Sequence, residues 1–268
     1  MKKIISLLLG LSAGLSYAHA PFVAPQQFIV EGGNSAFLAG FAEKPFDSEV
    51  AIRGFEFHVM SPQGELKPIH LINSQTISVG DVVTAQQGSY QILGQRIANI
   101  KYAKLDSRWL RVLDPKGAPL APLAEREFIA EAELTAQTPQ VSITRYDDVV
   151  SYFSKAQASA LHSMPEQNLQ VAYSTHPNQL STAKPLNITV SLNGKAVPNL
   201  KVELEKQQQV MGEKTHISHL STNSQGQAEL KFPQAGRYIV TLSSAEPDPK
   251  TKPSADVYRT VISLEVSE

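Results

Sequence analysis

Histidine is the side chain in this sequence best suited to metal binding and proton transfer near neutral pH. The chain of 268 residues has seven histidines and no cysteine, so no thiolate ligand is available and imidazole nitrogen is the donor to consider for a transition metal. Glu56 and His58 stand two positions apart in a predicted strand, so their side chains share one face, and Phe57 points to the other. This pairing is compatible with a metal site that has His58 as a ligand, and equally with a solvated strand face.

The first eighteen residues have the pattern of a secretory signal peptide. Lys2 and Lys3 precede a run of twelve apolar residues, and Ser16 and Ala18 supply the small side chains of a cleavage site. Twelve residues are too few to span a bilayer, which needs about 20. We therefore expect a signal peptide at 1–18, a location in the periplasm of a Gram-negative-type bacterium and a mature form without a membrane anchor. Cleavage after Ala20 is the alternative.

Cleavage after Ala18 would make His19 the first residue of the mature chain. Its α-amine and imidazole could then close a chelate ring around one divalent ion. Nitrogen donors suit nickel, cobalt and copper, and an α-amine has a pKa near ~7.7, so it can donate near neutral pH. His19 is therefore the predicted anchor ligand of a metal site, and His58 is the further candidate.

No motif for nucleophilic or cofactor chemistry is present. The sequence has no G-x-S-x-G elbow, no Walker loop and no G-x-G-x-x-G, and it names no catalytic or cofactor-binding residue. A formal charge of −1 argues against nucleic acid as a partner. We expect a protein that is not an enzyme. The alternative is a copper-dependent oxidative enzyme, which would need a second imidazole beside His19.

The C-terminal half predicts a sandwich of short strands. Leu186, Ile188 and Val190 alternate with polar residues, and Asn193-Gly194 follows as a turn. Six further runs of this kind lie near residues 169–174, 200–204, 215–221, 228–232, 238–242 and 262–266. Seven short strands separated by turns indicate an immunoglobulin-like or prealbumin-like sandwich over residues 166–268.

The N-terminal half, residues 19–165, is also rich in predicted strands. Val149, Val150, Phe153 and Ala156 recur at helical spacing, which predicts a short helix over residues 147–160. A linker is predicted at 163–167. The expected fold is mainly all-β, with two β-sandwich-like domains and a short helix between them.

Several segments together resemble a known family. The start His19-Ala20-Pro21-Phe22, the turn Asn193-Gly194-Lys195 and the segments at 222–228 and 233–238 are similar to motifs of the periplasmic family numbered 4198 among domains of unknown function. Many relatives begin H-x-H, whereas Pro21 stands here in place of the second histidine. The resemblance implies a β-rich protein with an immunoglobulin-like C-terminal half and a role in nickel or cobalt uptake.

Two functions follow from these observations. The first is a periplasmic metal-binding accessory for nickel or cobalt uptake, with His19 as anchor ligand and a metal ion and a membrane transporter as partners. The alternative is a non-enzymatic binding module that holds a protein or glycan partner on an exposed sheet edge or loop.

Overall fold

The described residues form an all-β fold with two short 3₁₀ helices. A computed structural model describes residues 20–115, 120–164, 166–208, 210 and 216–268, so the predicted signal peptide and His19 lie outside the described residues. The 3₁₀ helices are Leu123–Glu125 and Glu131–Glu133. Within the described ranges no helix is long and apolar enough to cross a membrane.

Twenty-one strands are found in the described residues. The first twelve, in chain order, are β1 (Ala20–Pro25), β2 (Ile29–Val30), β3 (Asn34–Ala42), β4 (Val50–Ala51), β5 (Glu56–Met60), β6 (Leu66–Ile69), β7 (Ile72–Asn73), β8 (Ser78–Val83), β9 (Gly88–Leu105), β10 (Arg108–Leu113), β11 (Phe128–Ala130) and β12 (Gln140–Lys155). The remaining strands are β13 (Leu169–Tyr173), β14 (Leu180–Ser181), β15 (Leu186–Leu192), β16 (Lys195–Ala196), β17 (Lys201–Lys206), β18 (Ile217–Ser221), β19 (Gln227–Leu230), β20 (Gly236–Ser243) and β21 (Val257–Ser267).

Three sheets contain these strands. The central sheet has twelve strands, with the order β11-β10-β9-β12-β21-β20-β17-β18 along its main path. Sheet A has five strands in the order β1-β3-β8-β7, with β4 paired to β3. Sheet C has four strands in the order β13-β15-β16, with β19 paired to β15. The central sheet therefore takes strands from both halves of the chain.

The central sheet is covered on both faces. Val149 and Phe153 of β12 belong to the same core as Phe22 and Phe37 of sheet A. Val150 and Tyr152 point the other way and join the core that sheet C completes, with members such as Leu186, Ile188 and Leu230. Because successive side chains of a strand alternate between faces, one strand serves two cores. The result is two β-sandwiches that share their middle layer.

The prediction of a short helix over residues 147–160 is wrong. These residues belong largely to β12, which runs between β9 and β21. A strand buried on both faces has no polar face, so its apolar residues do not alternate. The spacing of Val149, Val150 and Phe153 therefore fits a doubly buried strand as well as it fits a helix.

The seven strands predicted in the C-terminal half are confirmed as β13, β15, β17, β18, β19, β20 and β21. Asn193 and Gly194 have φ values of 52° and 74°, the left-handed conformation that this turn requires. The parallel pairing of β12 with β21 crosses the predicted boundary at 165/166, from Arg145 opposite Val257 to Ser151 opposite Ser263. The boundary itself stays a prediction.

Candidate functional site

A groove of about 520 Å³ runs beside β13, the edge strand of sheet C. We call it the edge groove. Segment 161–164, Gln167, Tyr152 of β12 and His176 line it together with β13. The described residues that line it include amides, hydroxyls, imidazoles and aromatic rings, but no Asp, Glu, Lys or Arg. The edge groove is therefore a polar cavity without formal charge.

Strand β13 presents unpaired backbone groups to this groove. Its neighbour on one side is β15, and on the other side no strand of the described residues pairs with it. The Ser174 N–H donates to the Asn187 carbonyl at 2.9 Å, which fixes the alternation of the antiparallel pair. By that alternation Gln170 and Ala172 bond to β15, whereas the N–H and C=O of Val171 and Tyr173 point to the open edge.

Two tyrosines form the inner wall of the groove. The hydroxyls of Tyr152 and Tyr173 are 2.9 Å apart, and their rings meet edge to face. Burial raises the pKa of Tyr152 to about 12 and that of Tyr173 well above its usual value. Both phenols stay protonated at neutral pH, so one hydroxyl donates to the other and the wall is uncharged.

His176 closes one end of the groove and is neutral as well. Its Nδ1 accepts the Asn178 N–H at 3.0 Å, which leaves the proton on Nε2 to donate to Ser89 Oγ at 2.9 Å. Burial lowers the pKa of His176. Ser89 also accepts the Ser159 N–H and shares a hydrogen bond with Ser154. A general base would have to accept a proton from Ser89, whereas His176 donates one to it. The pair therefore holds the segment around His176 in place and is not arranged as nucleophile and base.

Three polar side chains of β13 and β15 are free to meet a ligand. Gln170, Thr189 and Ser191 line the groove and make no side-chain hydrogen bond to other described residues. Gln91 and Gln167, in contrast, already donate to the carbonyls of His162 and Leu169. The groove therefore has a fixed inner wall and an outer rim with unused hydrogen-bonding capacity.

The structure places His58, the predicted metal ligand, in a separate cavity. This cavity of about 530 Å³ is lined by Glu56, His58 and His70, among others. As predicted, Phe57 points away from His58, into the core below sheet A. Nδ1 of His58 is buried and has no hydrogen-bond partner among the described residues. No group of three or more His, Cys, Asp or Glu side chains able to hold a metal is found among the described residues.

His19, the predicted anchor ligand, lies outside the described residues. The chain is described from Ala20, the first residue of β1, which pairs with Ala42. In the C-terminal half, His216 precedes β18, and His219 within β18 lies 3.2 Å from Glu203.

The residues of the edge groove carry no spacing that sequence reasoning could recognise. Tyr152 lies in the segment predicted as helical, and Tyr173 and His176 meet it only through the pairing of distant strands. A weak signal existed in the strand predicted at 169–174, since an edge strand is the usual docking place of a binding module. The alternation of residues does not indicate which strand lies at the edge of its sheet.

The fold and the groove define a class: an all-β sandwich protein with an uncharged, ligand-sized groove beside an open strand edge. A family model matches residues 16–246. The chain thus belongs to the family described as Domain of unknown function (DUF4198). A search of curated proteins gave no match.

Several solved structures match this chain at low sequence identity. A tetra-tandem repeat from the extending region of a large adhesion protein matches with 10% identity and a TM-score of 0.24, over 93% of this chain and 50% of that chain. This chain thus spans half the length of that protein. The D0-D1 domain of intimin matches with 10% identity, coverages of 91% and 97%, and a TM-score of 0.21. A two-domain fibronectin type-III segment of chicken tenascin has 10% identity, coverages of 91% and 98%, and a TM-score of 0.23.

Proposed function

We propose that this chain is a non-enzymatic periplasmic binding module that holds an extended, uncharged segment of a protein partner in the edge groove. The observation that carries the proposal is the open edge of β13 inside a ligand-sized cavity. An extended peptide placed there can pair its main chain with the N–H and C=O groups of Val171 and Tyr173, as in strand addition. The periplasmic location rests on the signal-peptide pattern of residues 1–18.

The chemistry of the groove supports an uncharged segment. A buried charge on the ligand would find no counter-ion among the described lining residues, and burying an unpaired charge is strongly unfavourable. Polar uncharged side chains would instead meet Gln170, Thr189 and Ser191 on the rim. The volume of about 520 Å³ is within the usual range of ligand sites, roughly 300–1,000 Å³.

Strand addition is tested by removing one backbone donor. Val171→Pro deletes the N–H that faces the groove and leaves the bonds to β15 intact, and an edge strand tolerates proline at such a position. Val171→Ala is the matched control, because it shortens the side chain and keeps the N–H. Binding is measured by calorimetry, using peptides selected from a library of uncharged hexapeptides and a panel of neutral oligosaccharides.

The proposal expects peptide binding to the mature protein that Val171→Pro abolishes and Val171→Ala retains. Equal affinities for the two variants would contradict strand addition. A glycan would be the ligand instead of a peptide if the protein binds oligosaccharides, and if Gln170→Ala weakens that binding while Val171→Pro leaves it unchanged. Circular dichroism and urea unfolding of each variant would exclude a loss of fold as the reason.

The unpartnered Nδ1 of His58 favours a second candidate, a metal-binding accessory for nickel or cobalt uptake. In this candidate His19 and His58 are ligands, and a membrane transporter receives the ion. The mature protein should then bind nickel, cobalt or copper near neutral pH. His58→Gln, His19→Ala and the addition of one residue before His19 should each weaken binding. Unchanged affinity in all three variants would remove this candidate.

A further inference from the structure

A third cavity lies on the opposite face of the central sheet from the edge groove. Its volume is about 400 Å³, and four arginines line it: Arg96 of β9, Arg111 of β10, Arg145 of β12 and Arg259 of β21. We call it the arginine cavity. Four strands each supply one guanidinium to the same space.

One carboxylate holds three of these arginines. Asp147 is fully buried. Its Oδ2 accepts a hydrogen bond from Arg96 Nη2 at 2.6 Å, and its Oδ1 accepts from Arg145 Nε at 3.1 Å and from Arg259 Nε at 2.8 Å. Burial alone would raise the pKa of Asp147, but the three guanidiniums outweigh it and hold that pKa below its ordinary value. The carboxylate is therefore charged and fixes the guanidiniums in place.

The cavity has more positive than negative charge. Against its four guanidiniums stand the buried Asp147 and, at the rim, Glu246, which accepts from Arg145 at 2.9 Å and has a side chain 59% exposed. The side chains of Arg145 and Arg259 are only 15% and 13% exposed. Excess charge that is poorly solvated raises the free energy of the empty site, and an anion would lower it.

Several guanidinium N–H groups are unused. Arg259 donates to Asp147 through Nε, and neither of its terminal nitrogens donates to another described residue. Arg111 stands at the mouth of the cavity and forms no ion pair within the described part of the chain. The planar fork of a guanidinium matches the two oxygens of a carboxylate or a phosphate.

The remaining wall of the cavity is apolar. Phe41, Val50, Ala98 and Ile100 line it. The Arg96 guanidinium lies 5.6 Å from the ring centre of Phe41 and 5.0 Å from that of Phe55, so aromatic faces hold it on one side. An occupant that matches both walls has a charged end and an apolar body.

We propose that the arginine cavity binds a small organic anion, with its carboxylate or phosphate group on Arg111, Arg145 and Arg259 and its apolar body against Phe41 and Ile100. The ligand is a separate molecule from the peptide proposed for the edge groove. The two sites lie on opposite faces of the central sheet, so either can be removed without the other.

The test uses four probes on the mature protein: phenyl phosphate, phenylacetate, inorganic phosphate and uncharged benzyl alcohol, measured by calorimetry at low ionic strength. Arg111→Gln is the informative variant, because Arg111 does not bond to Asp147 and its loss leaves the buried ion pairs intact. Lys101→Gln is the matched control. It removes one positive charge from the neighbouring strand at a side chain that pairs with Glu131 and does not line the cavity.

We expect the two organic anions to bind more tightly than inorganic phosphate, and benzyl alcohol not to bind. Arg111→Gln should lower the affinity for the two organic anions at least about tenfold, which is the effect of losing one charge-assisted hydrogen bond. Lys101→Gln should leave that affinity unchanged. The relative affinities of phenyl phosphate and phenylacetate identify the preferred head group. Equal weakening by both variants, or no saturable binding of either organic anion, would overturn the proposal. Peptide binding in the edge groove should be the same in Arg111→Gln as in the unmodified protein.

Discussion

Asp147 and Asp148 are neighbours in β12 and are both buried, yet their surroundings are opposite. Asp147 faces the arginine cavity, where three guanidiniums lower its pKa against the effect of burial. Asp148 points to the other face, where burial raises its pKa although Gln95 and Asn168 donate hydrogen bonds to it. The two faces of the central sheet thus surround a buried carboxyl group differently, one with cations and the other with neutral amides.

The difference shows that the groups supplied by neighbouring segments, and not the residue type alone, decide the electrostatic surroundings of a buried carboxyl group. Arg96 and Arg259 reach Asp147 from β9 and β21, the two strands that flank β12. Asn168 reaches Asp148 from the segment before β13, with both its N–H and its side-chain amide at 2.8 Å. Two functions that need opposite electrostatics can therefore occupy one sheet.

Removing the whole N-terminal half is the largest perturbation of this comparison. The fragment 166–268 lacks β12 and also lacks Leu93, Val150 and Tyr152 from the core under sheet C. Each large core side chain contributes about 2–5 kcal/mol, and a domain has only about 5–15 kcal/mol of stability. We expect the urea concentration at the unfolding midpoint, measured by circular dichroism, to be far lower for the fragment than for the whole chain. Equal midpoints would mean that the C-terminal sandwich stands alone, with the boundary at 165/166.

Neutralising each aspartate tests the comparison directly. Asp147→Asn leaves three guanidiniums without their counter-ion and should lower the free energy of unfolding by about 3–5 kcal/mol at pH 7. Asp148→Asn keeps an acceptor for Gln95 or Asn168 and leaves no guanidinium without a counter-ion, so it should cost only about 1–2 kcal/mol. Urea unfolding of the two variants gives both values. Equal losses of unfolding free energy in the two variants would contradict the difference in surroundings between Asp147 and Asp148.

The tyrosine pair of the edge groove predicts a smaller effect. Tyr173→Phe leaves the buried hydroxyl of Tyr152 without a partner and should cost about 1 kcal/mol. A double-mutant cycle with Tyr152→Phe should give a coupling of roughly 0.5–1.5 kcal/mol. Additive single losses would show that the two hydroxyls do not interact in solution.

Acid should bring charge into the uncharged edge groove through His176. Its pKa is lowered in the folded protein by burial, so the unfolded chain takes up the proton first as the pH falls below about 6.5. The stabilisation is complete above that pH and is lost as the pH drops towards the folded pKa. We expect stability to fall slightly between pH 7 and pH 5, and less so in His176→Asn, as followed by urea unfolding. An unchanged pH profile in that variant would assign the loss to another group.

The sequence predicts the parts of this fold that are local. Alternation along residues such as Leu186 and Ile188 is visible because one face of β15 is exposed, and Asn193-Gly194 marks its turn. The helix prediction failed at β12 because burial on both faces removes the alternation. The membership of the central sheet was also hidden, since it depends on which strands meet across more than a hundred residues.

The candidate sites follow the same rule. His58 and Glu56 could be placed on one strand face because they are two residues apart. The arginine cavity joins positions 96, 111, 145 and 259 only through the registers of β9 with β12 and of β12 with β21. Nothing in the spacing of four scattered arginines distinguishes them from surface residues, so the cavity becomes visible only after the strands are paired.

The parallel pairing of β12 with β21 also has a consequence for the order in which the molecule can form. β12 ends at Lys155 and its partner begins at Val257, so about a hundred residues must be synthesised before that edge is covered. Until then β12 has an open edge next to unfilled cores, the arrangement that favours pairing with other chains. Contacts of such long sequence separation also form slowly. The eleven residues of β21 therefore complete both sandwiches at once, and a truncation that removes β21 should destabilise the whole protein and not that strand alone.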